Sequence, residues 1–176
     1  MSKIVRTIVT KEKDDLLRKG KLKRRDVILT TRGTIGNIAI YDDRVKFDHI
    51  RINSGMLIFR PNESVIKSEY LFEVLRSSIV KSQIEKYTSG AAQPQLPIKT
   101  LVNFTLPIPT LEDQSRIVSS LHDLSIETQR LEIIYQQKLA ALTELKQSIL
   151  QKAFTGELTA DTANQTTKKA EEAIAA

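Results

Sequence analysis

The second half of the chain carries a long apolar repeat in which spacings of four and three residues alternate. No glycine or proline occurs between Thr110 and Thr155, and a repeat of this kind predicts a long coiled-coil helix. Eight of its eleven positions are apolar or aromatic, which predicts a partner interface along one face. These positions, which we call the seam, are the apolar Ile117, Leu121, Leu124, Leu131, Tyr135, Leu142, Leu145 and Ile149 and the polar Thr128, Lys138 and Lys152.

Both ends of this helix carry local capping signals. Thr110 stands three residues before Asp113 in a capping-box-like start, and Gly156 lies where a C-terminal cap would fall. A helix of about 45 residues is roughly 65 Å long, which is far longer than the small domain before it. We therefore expect a projecting arm over 110–156. The alternative is a hairpin with its turn in 121–129, the weakest helix-forming stretch.

Residues 1–109 alternate between strand-like and helix-like periods, which predicts a small mixed α/β globular domain. β-branched runs predict strands, and the last strand is placed at an edge because its two prolines cannot donate to a ladder. The predicted strands are 26–31, 37–41, 55–61 and 103–109, and the predicted helices are 10–20 and 68–87. The fold class is therefore α+β, followed by the long helix and by a polar, flexible tail at 157–176.

Charge is distributed unevenly along the chain. Residues 1–32 carry eleven Lys/Arg against four Asp/Glu, whereas residues 111–176 carry seven against ten. A basic start favours a polyanionic partner, and a solvated basic face is the open alternative. The chain has no cysteine and no apolar run of membrane-spanning length, so we expect a soluble, cytoplasmic protein with no membrane partner.

The residue types that carry catalysis or bind metals are scattered along the chain. Gly33 and Gly36 are the only closely spaced glycines, and no Gly-Lys-Ser/Thr follows them, which argues against a phosphate-binding loop. His49 and His122 stand far apart without a metal-ligand cluster. We predict a protein that is not an enzyme and that has no metal and no cofactor.

The stretch "SGAAQPQLPIKTL" (89–101) concentrates glycine and proline in a chain that has few of either. Pro94 and Pro97 stiffen the exit from a loop of small residues. Pro107 and Pro109, a few residues later, set the angle at which the long helix leaves the domain. We interpret this stretch, together with the residues up to Pro109, as a connector (89–109) that fixes a hinge and carries a loop at its start.

Three separated motifs resemble segments of the specificity (S) subunits of type I restriction-modification systems. In that family a Gly is followed by Gln-Pro-x-Leu, a short helix and Pro-x-Pro-x-x-Glu-x-Gln-x-x-Ile. "LTTRGTIGNIAIY" (29–41) resembles the family's Gly-Thr-Ile-Gly turn, and "LKQSILQKAFTGEL" (145–158) resembles the end of its conserved helix. The residues that match the first motif are Gly90, Gln93, Pro94, Leu96, Leu101, Pro107, Pro109, Glu112, Gln114 and Ile117.

The resemblance implies a DNA-recognising chain whose catalytic partners are other proteins. S subunits confer sequence specificity on a complex in which the methyltransferase and endonuclease activities reside in other chains. Each of two recognition domains reads half of a split site, and two helices pack antiparallel to set their separation. The implied partners are double-stranded DNA, a methyltransferase (modification) subunit and, as a further partner, the restriction subunit.

On that basis two sets of residues are candidates for DNA contact. In the first set an arginine suits a guanine edge or a phosphate, and Asn and Gln amides suit adenine. The first set is Arg32, Thr34, Asn37, Asn53, Ser89 and Gln93. The second set would bind phosphates without sequence preference, with a solvated basic face as the alternative. The second set is Lys19, Lys21, Lys23, Arg24 and Arg25.

The chain departs from the family pattern in two ways. It has one recognition domain and one helix where the family has two of each, which predicts a half-subunit that self-associates or pairs with another half-subunit. About 110 residues precede the helix, fewer than family recognition domains usually have, so a shortened N-terminal part is a further hypothesis. The alternative function is a truncated half-subunit that acts only as a coiled-coil assembly or regulatory protein.

Overall fold

The computed structural model describes residues 19–90 and 92–157. Residues 10–18 of the predicted first helix and 158–176 of the predicted tail lie outside this range. The predicted α+β class, a small sheet with helices and one long C-terminal helix, is confirmed. The elements are β1 (Val27–Thr30), β2 (Ile38–Ile40), β3 (Met56–Phe59), α1 (Ser68–Arg76), α2 (Ser78–Tyr87), a 3-10 helix (Ile98–Asn103) and α3 (Leu111–Thr155).

β1 is the central strand of a three-stranded antiparallel sheet with the order β2-β1-β3. Val27 of β1 lies opposite Ile40 of β2 and Phe59 of β3. The strands lie inside the predicted β-branched runs, since such side chains pack well on a pleated surface. The arrangement places the residues before β1 at one end of the sheet and those after it at the other.

The core lies between one face of the sheet and the two helices that follow it. Val27 and Leu29 are buried and alternate with half-buried neighbours along β1, as a strand with one buried face requires. They pack in one cluster with Leu71 and Leu75 of α1 and Val80 of α2. This cluster fixes β1, and β1 in turn positions the loops at both of its ends.

The single helix predicted over 68–87 is wrong, because Ser77 divides it into α1 and α2. Ser77 is extended, with φ −67° and ψ 159°. Its hydroxyl donates to the carbonyl of Val74 at 2.6 Å, and its N–H donates to the same carbonyl at 3.1 Å. A serine hydroxyl that takes a helical carbonyl favours a helix end. After the break, Val80 and Ile84 of α2 are buried in the core.

The edge strand predicted over 103–109 is also wrong. The chain after the 3-10 helix is extended, but it pairs with a side chain instead of a strand. The carboxamide of Gln83 accepts from the N–H of Thr105 at 2.8 Å and donates to its carbonyl at 3.0 Å. These two hydrogen bonds pair the backbone N–H and carbonyl of Thr105 as a neighbouring strand would. The two prolines that follow have no N–H, so the segment does not extend into a ladder.

Tyr70 of α1 holds the same segment from another side. Its hydroxyl donates to the carbonyl of Pro107 at 2.9 Å. Burial raises the pKa of the Tyr70 phenol, so the phenol stays protonated and remains a donor at neutral pH. Side chains of both α1 and α2 therefore fix the connector that leads into α3.

One buried glutamine anchors the start of α3. Gln114 is fully buried, and its Oε1 accepts from the N–H of Lys67 at 2.8 Å. Its Nε2 donates to the carbonyls of Val65 at 3.0 Å and Pro109 at 2.9 Å. This side chain ties the first turn of α3 to the connector and to the segment that precedes α1.

The predicted capping signals at both ends of α3 are confirmed. Thr110 Oγ1 accepts from the N–H of Asp113 at 3.2 Å and donates to the Asp113 carboxylate at 2.8 Å. Gly156 has a φ of +79°, the left-handed conformation typical of a helix C-terminus. The helix between them is continuous over 45 residues, which excludes the hairpin.

The chain forms two compact units, one ending at Leu121 and the other beginning at His122. In the first unit, Ile117 and Leu121 are 39% and 41% exposed. In the second, the apolar seam side chains range from 48% exposed at Ile149 to 64% at Leu124. The apolar seam is therefore largely open to solvent in the described part of the chain.

Replacing Gln114 with Met removes all three hydrogen bonds and keeps a similar side-chain volume. The N–H of Lys67 and the carbonyls of Val65 and Pro109 are then buried without partners, and each orphaned group costs about 1–3 kcal/mol. We expect the free energy of unfolding, measured by urea denaturation, to fall by about 3–5 kcal/mol. The control Gln137→Met, at an exposed position of α3, should change it by less than about 0.5 kcal/mol. Equal effects of the two substitutions would contradict the anchoring role.

Candidate nucleic-acid interface

Three loops meet at one end of the sheet, and we call them together the loop surface. They are residues 31–37, 53–55 and 89–95, of which 91 is outside the described residues. The carbonyl of Thr31 accepts from the N–H of Leu96 at 2.9 Å, and the N–H of Thr31 donates to the carbonyl of Gly55 at 2.7 Å. Arg32 pairs with Gln95 in an isolated bridge. Main-chain pairing therefore holds the three loops together.

The loop between β1 and β2 is fixed by the side chain of Thr30. Its hydroxyl donates to the carbonyl of Thr34 and accepts from the N–H of Asn37 at 3.0 Å. Gly33 and Gly36 adopt positive φ values of +71° and +86°, which glycine reaches without steric strain. The loop is therefore a defined turn that presents its side chains from a fixed backbone.

The loop at 89–95 closes on itself through Ser89 and Gln95. The N–H of each donates to the carbonyl of the other, at 3.0 and 2.8 Å. Gly90 has a φ of +96°, and a Cβ at this position would lie 2.6 Å from the carbonyl oxygen of Gln93. The glycine of the connector is thus required by a close approach within the loop itself.

All six residues of the first candidate set for DNA contact lie on the loop surface and are exposed. They are Arg32, Thr34, Asn37, Asn53, Ser89 and Gln93. Asn53 Oδ1 accepts from the N–H of Gly55 at 2.9 Å, which leaves its NH₂ group free to donate. The side chains of the other five have no hydrogen-bond or ion-pair partner within residues 19–90 and 92–157. Their polar groups are available to a ligand.

A shallow groove of about 490 Å³ lies beside the first loop. Ile35 and Ile84 contribute apolar side chains, and Thr34, Glu85 and Pro94 also line it. A carboxylate in this position repels phosphate, but it accepts a hydrogen bond from an amino group. The groove therefore suits the uncharged edge of a base, or a methyl group, better than a phosphate.

The predicted phosphate-binding residues are not all at one end of β1. Arg24 and Arg25 precede this strand, whereas the first loop follows it. The strand has four residues, so roughly 13 Å of extended chain separates these two arginines from the first loop. Lys19 and Lys21 flank Gly20, whose carbonyl accepts from the N–H of Ile52 at 2.9 Å, next to Asn53 of the loop surface. Of the eleven residues predicted to contact DNA, Arg24 and Arg25 are therefore separated from the loop surface by the length of β1.

Residues 19–25 form a segment rich in lysine and arginine, which we call the basic segment. Within it, the side chain of Arg24 has a structural role. Its guanidinium donates to the carbonyls of Asp42 and Val45 at 2.5 and 2.9 Å and to the Asp48 carboxylate at 2.9 Å. It also lies 4.4 Å over the ring of Tyr41. These contacts hold the 42–48 loop against the sheet, and they occupy three of the five guanidinium N–H donors that a phosphate could use.

The remaining basic residues differ in how far neighbouring groups neutralise their charge. Arg25 lies 3.3 Å from the Glu63 carboxylate. Lys21 pairs through its backbone with Arg51, and its side chain is exposed. Lys19 and Lys23 are exposed as well. The lysines are therefore the members of this segment whose positive charge is least neutralised by neighbours.

An ion pair between the buried Asp26 and the half-exposed Arg60 supports this end of the sheet, and the sequence pattern did not reveal it. Asp26 is 1% exposed, and its carboxylate accepts from Arg60 Nε at 2.8 Å and from an Arg60 terminal nitrogen at 2.7 Å. It also accepts from the N–H of Lys23 at 2.7 Å. These hydrogen bonds raise the pKa of Arg60. The pair joins the start of β1 to the end of β3 and sets the path of the basic segment.

The described residues contain neither a metal-binding cluster nor a membrane-spanning helix. No group of three or more His, Asp or Glu side chains is placed to hold a metal ion in that part of the chain. None of the helices described combines the length and the apolarity that crossing a bilayer requires.

The described residues thus combine a sheet with exposed polar loop residues and a long helix whose apolar seam is largely exposed. The family model described as "Type I restriction modification DNA specificity domain" matches residues 2–144. The chain belongs to this family, as its motifs predicted.

Two similar proteins are named as type I specificity subunits. "Type I restriction enzyme EcoBI specificity subunit" from Escherichia coli is 30% identical over 152 residues, which are 86% of this chain and 31% of that protein. "Type I restriction enzyme EcoDI specificity subunit", also from Escherichia coli, is 32% identical over 100 residues, 57% of this chain and 22% of that one.

The crystal structure of the HsdS subunit from Thermoanaerobacter tengcongensis matches the fold with a TM-score of 0.53 at 24% identity, covering 63% of this chain and 28% of that one. This likeness supports the fold. The chain spans less than a third of the length of these relatives.

Gly90→Ala and Gly33→Ala separate backbone strain from close packing in the loop surface. Both glycines have positive φ, but a Cβ at Gly33 meets nothing within 4 Å, whereas a Cβ at Gly90 meets a carbonyl oxygen at 2.6 Å. Gly33→Ala should lower the free energy of unfolding by about 1–2 kcal/mol, and Gly90→Ala should lower it further. Urea denaturation measures both. Equal losses would show that the close approach does not constrain the loop.

Proposed function

We propose that this chain is a DNA-recognition half of a type I specificity subunit, which reads one part of a split target site. The observation that carries the proposal is the loop surface, on which six exposed polar side chains stand on three loops joined by main-chain hydrogen bonds. Base recognition needs donors and acceptors in fixed positions. A surface of this kind is suited to reading base edges.

The side chains on the loop surface have complementary chemistry for bases. Arg32 carries a planar fork of donors, which suits the two acceptors of guanine. Asn37 and Gln93 each offer a donor and an acceptor, which suits adenine. Because their side chains have no partner in the described ranges, they would bind DNA without first breaking a hydrogen bond.

The basic segment would supply contacts to phosphates. Lys19, Lys21 and Lys23 are the stronger candidates because their side chains are exposed and form no described ion pair. Arg25 would have to share its charge with Glu63. Arg24 would act indirectly, since its guanidinium holds the 42–48 loop. These contacts would add salt-dependent affinity without sequence preference.

The rest of the complex would supply catalysis. We propose that the chain itself is not an enzyme, and that it acts in the cytoplasm by docking a methyltransferase subunit and a restriction subunit on DNA. The recognition domain would be residues 1–109, the pairing helix 110–156 and a flexible tail 157–176. The seam would pair this half with a second half-subunit, so that two domains read the two parts of the site.

Selection from a randomised duplex pool tests this function. The full chain is incubated with the pool, with and without the cognate methyltransferase subunit, and the bound duplexes are sequenced. Enrichment of a split motif supports the proposal, and a symmetric motif indicates two identical halves. A stable complex with the methyltransferase subunit and no enriched motif would contradict DNA reading and favour the assembly-only alternative.

Arg32 variants in the same selection distinguish a base contact from a phosphate contact. Arg32→Ala should weaken binding to the selected site by about 1–3 kcal/mol and relax the preference at one base pair. Arg32→Lys keeps the charge but loses the bidentate fork, so it should relax that preference while retaining more affinity. If Arg32→Lys keeps the full preference, Arg32 does not read a base. Arg44→Ala, an exposed arginine paired with Asp42, is the control and should leave the motif unchanged.

A further inference from the structure

The groove beside the first loop holds one carboxylate, that of Glu85 in α2, and the other described residues that line it are uncharged. Thr34 and Pro94, from two loops of the loop surface, line the same groove. The first loop packs closely on α2, because a Cβ on Gly36 would lie 3.8 Å from Cδ1 of Ile84. The groove is therefore continuous with the loop surface, and a ligand bound by the loops would reach Glu85.

The carboxylate of Glu85 is exposed, and no residue in 19–90 or 92–157 forms an ion pair or a hydrogen bond with it. Two lysines stand near it along α2, Lys81 one helical turn earlier and Lys86 directly after it. The ammonium of Lys86 lies 5.4 Å over the ring of Tyr87 instead. Since no donor in these ranges occupies the carboxylate, its lone pairs are available to a ligand.

The end of α2 adds to the negative potential of the groove. Glu85 lies in the last turn of this helix, which ends at Tyr87. Carbonyl groups at a helix C-terminus carry a partial negative charge. The N–H and the hydroxyl of Thr88 both donate to the single carbonyl of Ile84, at 2.9 and 2.7 Å. A phosphate would be repelled at this end of α2, whereas the hydrogens of an amino group would be attracted.

We propose that Glu85 selects a cytosine in the target duplex by accepting a hydrogen bond from its exocyclic amino group. The inference rests on the proposed function, that the loop surface binds base edges, and it adds a residue and the base that this residue selects. In the major groove cytosine presents its amino group as a donor, and a glutamate is a suitable acceptor for it.

The other three bases fit a carboxylate less well. Guanine and thymine present acceptors in the major groove, and adenine presents an acceptor beside its amino group. A carboxylate repels acceptors, since both carry negative charge. Ile35 and Ile84 line the rest of the groove, and their side chains offer no competing donor or acceptor. Glu85 therefore decides which base edge the groove accepts.

Two variants separate the charge of Glu85 from its reach. Glu85→Gln removes the charge and keeps the length, whereas Glu85→Asp keeps the charge and shortens the side chain by one methylene. The control Glu144→Gln also removes one negative charge from an exposed position of a helix, and Glu144 is not among the residues that line the groove. Each full-length variant is used in the randomised-duplex selection, and fluorescence anisotropy measures its affinity for a duplex that lacks the motif.

The unmodified chain should select cytosine at one position of the motif, and both Glu85 variants should reduce that preference roughly tenfold. Glu85→Gln should also admit adenine there, since an amide offers both a donor and an acceptor. Of the two, only Glu85→Gln should raise the affinity for the motif-free duplex, by about twofold, because it removes a charge that repels phosphates. Glu144→Gln should leave the motif unchanged.

The unmodified chain distinguishes failure of this inference from failure of the proposed function. If it enriches a motif and both Glu85 variants enrich the same motif, the proposed function is supported and the role of Glu85 is overturned. An equal loss of cytosine in Glu144→Gln would overturn that role as well, because the effect would then follow net charge. If the unmodified chain enriches no motif, both the function and the role of Glu85 are contradicted.

Discussion

Gln114 lies fully buried where the sheet domain becomes the long helix, and its carboxamide makes three main-chain hydrogen bonds. Its acceptor takes the N–H of Lys67, and its donors take the carbonyls of Val65 and Pro109. The segment before α1, the connector and the first turn of α3 are thus joined by a side chain whose removal would orphan three buried groups. The cap at Thr110 adds a local signal for where the helix starts, but Gln114 connects that start to the rest of the domain.

The sheet holds the loop surface in position, as Gln114 holds the start of α3. β1 is central, and buried residues on one of its faces pack against α1 and α2. Its two ends differ in character. After β1, Arg32 and its neighbours stand on loops paired through Thr31 and Gly55. Before β1, Arg24 is committed to the 42–48 loop, whose Asp42 has a lowered pKa because Arg44 donates hydrogen bonds to its carboxylate. Acidic residues beside the basic segment reduce its net attraction for phosphate.

The features that could be predicted from the sequence are those with local causes. The long helix follows from an unbroken repeat between Thr110 and Gly156, and the strands follow from β-branched runs. The errors come from contacts between distant residues. The strand predicted over 103–109 is absent because Gln83, twenty-two residues away, takes its backbone groups. The six loop candidates were found by residue type and family motif, but pattern alone gave no sign that Arg24 and Arg25 lie at the opposite end of β1, or that Gly20 pairs with Ile52 beside Asn53.

Hydrogen exchange of the chain with and without its selected duplex is the most direct test of where DNA is read. If the loop surface contacts the bases, backbone amides in residues 31–37 and 89–95 should exchange more slowly when the duplex binds, with little change in 41–48. The effect in 19–25 should decrease with added salt, since phosphate contacts are salt-dependent. Protection confined to 19–25 and 41–48, with the loop surface unchanged, would contradict DNA recognition by the loop surface. It would place the DNA against the basic segment instead.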